Sequence, residues 1–103
     1  MSGMAVDSRL RHALVASGRA VGAAITITRS TATNWASATF SGARHEIELA
    51  ALADDPVERW LEELPETELS LAGHLVADLK IVAVRQVETA LTVTIEVLTV
   101  EEQ

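Results

Sequence analysis

The chain has 103 residues, 49% of them hydrophobic, with no cysteine and a formal net charge of −7. That length and composition suit one globular domain in a reducing, cytoplasmic setting; they exclude disulfides and thiolate chemistry, and no run nears the roughly 20 apolar residues of a membrane span. The charge is divided along the chain: residues 1–45 carry five arginines and one acid (5 − 1 = +4), residues 46–103 three bases and fourteen acids (3 − 14 = −11).

Asp7 or Ser8 is placed to cap a first helix in which Leu10, Ala13, Leu14 and Ser17 recur at three- and four-residue steps. Gly18 is placed to end it. Arg9, Arg11 and Arg19 read as the solvated side of an ordinary helix, not as a targeting segment. From Val21 the period changes to two, with Val21, Ala23, Ile25 and Ile27 opposing Gly22, Ala24, Thr26 and Thr28. That is the pattern of a half-buried strand. Residues 29–34 read as a polar connection. Residues 35–40 and 44–51 then read as two strands turning at Ser41-Gly42. With Phe40 opposite Ala43, Ala38 faces His45 and Ala36 faces Ile47 on an apolar side. Thr39 and Arg44, Ser37 and Glu46, and Trp35 and Glu48 pair on the polar side.

Asp54-Asp55-Pro56 opens a second helix, Val57, Trp60, Leu61 and Leu64 form its apolar stripe, and Pro65 stops it. Residues 66–73 are a loop. Two closing strands, residues 75–85 and 90–100, flank a turn at residues 87–89. In the second, Leu91, Val93, Ile95 and Val97 alternate with Thr92, Thr94 and Glu96 until Leu98 and Val100 interrupt the polar side. The first reads as apolar on both sides, with Leu75, Leu79 and Ile81 on one and Val76, Val82 and Val84 on the other. A strand of that kind is covered twice, most simply by a second copy of the chain. The expected fold is α+β, an antiparallel sheet of about five strands with two helices on one face. The element order is α-β-β-β-α-β-β over a single domain, residues 1–103, with residues 1–5 and 101–103 frayed.

No two of His12, His45 and His74 stand at a metal-ligand step, so neither a metal nor another cofactor is expected. His45 has the parity of the apolar face and reads as a hydrogen-bonded histidine at the edge of the core. Gly73-His74 followed by Asp78 is the most site-like run, yet four strand residues span about 13 Å, too far for Asp78 to orient His74. Arg44 beside the turn amides suggests an anion site, but one glycine falls short of a phosphate loop. Trp35 lies by parity on the polar side, an aromatic of the kind enriched at interface hot spots. Nucleic acid is not an expected partner, because Asp54, Asp55 and Glu58 open the second helix and repel phosphate. The expectation is a self-associating protein–protein interaction module without catalytic activity, a homodimer in its simplest form. Its candidate residues are Trp35, Arg44, His45, His74, Leu98 and Val100. The alternative is a small-molecule binder or enzyme with a pocket near Arg44, His45, His74 and Asp78.

Overall fold

A computed structural model describes residues 3–102; residues 1, 2 and 103, all expected to fray, lie outside the described chain. The first helix, α1 (Gly3–Ala20), starts ahead of Asp7, whose carboxylate turns into the protein instead of capping. Val6, Leu10 and Leu14 recur every four residues and are buried, which gives α1 one apolar stripe. Gly18 does not end the helix. A Cβ there would lie 2.8 Å from the Ala23 carbonyl oxygen, so the missing side chain lets the chain fold back. Gly22, at φ +80, makes the reversal in a region open to glycine.

Two expected strands are one. Strand β1 (Ile25–Ala36) runs through residues 29–34, and this merger leaves four strands where about five were expected. Threonine, β-branched, suits extended backbone, and a strand with one neighbour and one solvated face needs few apolar side chains. The hairpin turn falls earlier than expected, at residues 37–40, where the Ser37 N–H donates to the Phe40 carbonyl at 2.7 Å. Strand β2 (Ser41–Leu52) follows. Gly42 is therefore not a turn residue but a close approach: a Cβ on it would lie 1.9 Å from the Thr99 carbonyl oxygen.

Helix α2 (Asp55–Glu63) forms where its signals lie: Asp54 accepts a hydrogen bond from the Val57 N–H at 3.0 Å, with Pro56 in the first turn. Val57 and Trp60 are buried, and the Trp60 indole donates to Ser17 Oγ at 2.9 Å, tying α2 to α1. One 3-10 turn, Leu64–Glu66, carries the chain past Pro65. Strands β3 (His74–Val87) and β4 (Ala90–Glu101) close the fold around Glu88-Thr89, with Glu88 at φ 56.

The sheet is antiparallel in the order β1-β2-β4-β3, which makes β2 and β4 central and β1 and β3 its edges. On the central strands burial alternates residue by residue. Ala43, His45, Ile47 and Leu49 of β2 and Leu91, Val93, Ile95 and Val97 of β4 line one buried face, and the apolar ones join a single core with Leu10, Leu14, Val57, Trp60 and Leu64. The opposite face is open.

The two-sided apolar reading of β3 does not survive its geometry. Register shifts between Val76 and Asp78 and between Ile81 and Ala83 insert Ala77 and Val82 as extra residues. Each bulge resets the alternation. Val76, Leu79, Ile81 and Val84 therefore pair with Thr99, Val97, Ile95 and Val93 on the buried side. Asp78, Lys80 and Arg85 pair with Leu98, Glu96 and Thr92 on the open side.

Candidate interaction surface and the buried polar cluster

His45 is fully buried, and its two nitrogens hold the only buried side-chain cluster of acid, imidazole and hydroxyl among the described residues. Nδ1 lies 2.7 Å from Asp7 Oδ1 and Nε2 lies 2.9 Å from Thr99 Oγ1. Thr99 also reaches the Ala43 carbonyl at 3.3 Å. The second carboxylate oxygen of Asp7 accepts from Ser30 Oγ and lies 3.6 Å from Arg11 Nε. An acid, an imidazole and a hydroxyl in that order suggest a proton relay. However, Thr99 is 0% exposed on a central strand, so its oxygen has no approach for a reacting carbon. The cluster instead fastens α1 to β1, β2 and β4 with every polar atom partnered, as buried polar groups require. Sequence reasoning read Asp7 as a cap and so missed this role. The available signal was that Asp7 is the single acid in the first 45 residues.

The other candidates divide between the faces. Arg44 and Asp78 flank Leu98 across β2, β4 and β3 on the open face, in a hollow of about 180 Å³ shared with Lys80 and Glu96. His74 is buried at the start of β3, its Nδ1 3.3 Å from the Ala72 carbonyl oxygen. With Asp78 it borders a separate groove of about 770 Å³ beneath residues 65–72. His45 lines neither, so the four residues of the small-molecule alternative do not share one pocket. Among the described residues no three histidines or carboxylates gather as a metal would need, and no helix is long and apolar enough to cross a membrane.

Trp35, Val100 and Leu98 do come together. Trp35 stands opposite Gly42 and Gly42 opposite Val100, with Leu75 next in the same row and Leu98 one step along the open face. The Trp35 ring leans over the glycine, its Cζ2 3.1 Å from where a Cβ would be. Its indole N–H is buried without a hydrogen-bond partner, which costs about 1–3 kcal/mol. Trp35 was expected opposite Glu48 and lies opposite Gly42, a slip of 48 − 42 = 6 positions. An even slip keeps a side chain on its face.

The largest apolar exposure runs on from this row along β3. Among the described residues seven large hydrophobics are exposed, and four of them, Leu75, Val82, Val84 and Val87, belong to the edge strand β3. No family model, curated protein or solved structure matches the chain.

Proposed function

We propose that the chain is an interaction module without catalytic activity that works by self-association, and that its contact surface is the β3 edge with the adjoining open-face residues Trp35, Leu98 and Val100. The observation that carries this reading is the exposure of Leu75, Val82, Val84 and Val87 on a strand with one unpaired side. Exposed apolar edges template pairing with another chain, and folded proteins usually blunt them with charge. Here residues 81–87 hold one charged side chain, Arg85. A core whose one aromatic among the described residues is Trp60 also leaves a small domain with little stability to spare, which a second copy would supplement.

Sedimentation velocity over a concentration series tests the reading. The wild-type chain should form oligomers that dissociate on dilution, and Leu75→Asp, outside the core cluster, should weaken them about tenfold or more while leaving the circular dichroism unchanged. A wild-type chain that stays monomeric at every concentration rules the reading out.

A further inference from the structure

The two edges of the sheet differ in shape: a groove runs beside β1, and exposed apolar side chains line β3. Beside β1, a groove of about 530 Å³ runs between that strand and α1. Its floor is Val15, Ile25 and Ile27, and Arg11, His12 and Arg19 rim it. A second hollow of about 300 Å³ continues it along β1 and adds Arg29. Among the described residues Arg19 and Arg29 make no ion pair. Beside β3, the groove beneath residues 65–72 is lined by Glu66, Glu68, Asp78 and Glu102. These acids are confined to the His74 end of β3, beyond which the strand carries Lys80 and Arg85.

The register supplies a fit. Across the sheet the rows read Ile27–Leu49–Val93–Val84, Arg29–Glu48–Thr94–Ala83, Thr31–Glu46–Glu96–Lys80 and Trp35–Gly42–Val100–Leu75. β1 runs antiparallel to β3, because three antiparallel steps separate them. A second copy set beside the first in the same orientation therefore extends every row. Val84, 55% exposed on the buried side, then meets Ile27 at the floor of the α1–β1 groove. Leu75, 58% exposed on the open side, meets Trp35. Lys80 and Arg85 meet the neutral Thr31 and Thr26. The bulges agree as well: Thr28 lies between the rows of Val84 and Ala83, and Val82 between those of Ala83 and Ile81, so both edges bend at nearly the same level.

We infer that β3 of one copy pairs with β1 of the next, Val84 entering the α1–β1 groove and Leu75 packing on Trp35. This inference rests on the self-association proposed above and specifies its geometry. Because two different surfaces meet, the contact is heterologous and builds a ring or a filament, not a two-fold dimer. The acidic run of α2 is not the occupant of the groove, since its residues are held in a helix by the buried Val57 and Trp60.

The cysteine-free chain allows a direct test by disulfide crosslinking. Thr31→Cys and Lys80→Cys both lie at exposed open-face positions. The double variant, oxidised under native conditions, should give a ladder on a denaturing gel that climbs past the dimer. Each single variant should remain uncrosslinked, and the two mixed should give one heterodimer. Val84→Glu should weaken association about tenfold by sedimentation. Lys80→Cys crosslinking to itself, or a ladder that stops at the dimer, overturns the pairing in favour of β3 against β3. Oligomers in sedimentation with no crosslink in any variant overturn the pairing but leave self-association standing. A monomeric wild-type chain removes both.

Discussion

The strands at the two margins of the sheet meet the same problem in opposite ways. β1 carries threonine and serine along most of its length, has a long helix beside it, and is tied to that helix by the Ser30–Asp7 hydrogen bond. Its sheltered residues are Ile25, Ile27, Ser30, Ala32 and Trp35, and of these Ser30 alone is polar. β3 begins under the loop before it, where His74 and Leu79 are buried, but from Val82 to Val87 every residue is exposed and none joins the core. Val82, Val84 and Val87 thus stand outside the core, against which Ile81 still packs. A strand's hydrophobicity states what it can bury; whether it does so within its own chain depends on what lies against it.

That contrast can be broken or sharpened by mutation. The largest effect should fall on the β1 side: Asp7→Ala removes the hydrogen-bond partner of the fully buried His45 and the acceptor of Ser30, and should cost about 3–5 kcal/mol in urea unfolding, since each buried polar group left unpaired costs about 1–3 kcal/mol. A loss under 1 kcal/mol would mean that the cluster does not fasten α1. Next, Gly42→Ala places a methyl group against the Thr99 backbone and should cost about 3 kcal/mol, with the Trp35 fluorescence shifting as its ring is displaced. The smallest effect belongs to β3: Val84→Thr should change stability by less than about 0.5 kcal/mol while reducing self-association. A large stability loss there would show that the far half of β3 does hold the fold.

The legible parts of the molecule were those in which local chemistry and tertiary setting agree. α2 carries its own cap, its own proline and a stripe of apolar residues, and it forms at that place. β4 itself contributes no extra residue to either of its ladders, the bulges of one lying on β3, so the alternation from Leu91 to Val97 translates directly into burial. β1 was divided in two because residues 29–34 lack the apolar period that marks strands, yet an edge strand with a solvated face does not need one. On β3, strict alternation assigned Val76 and Val84 to the face opposite Leu79 and Ile81, and two bulges brought all four to one face. Of the candidate residues, Trp35 kept its face because the hairpin slipped by an even number of positions. The partner of His45 was not legible, because Asp7 is 38 residues away and approaches only when α1 packs.

The sequence alone determined the α+β composition, the capped second helix, the alternating central strand and the unequal charge of the two halves, since each is written within one segment by propensity or period. Strand count, the bulges and the Asp7–His45–Thr99 cluster were decided only by tertiary structure. Those features depend on which distant residues become neighbours, and backbone hydrogen bonding between strands, not local preference, selects them.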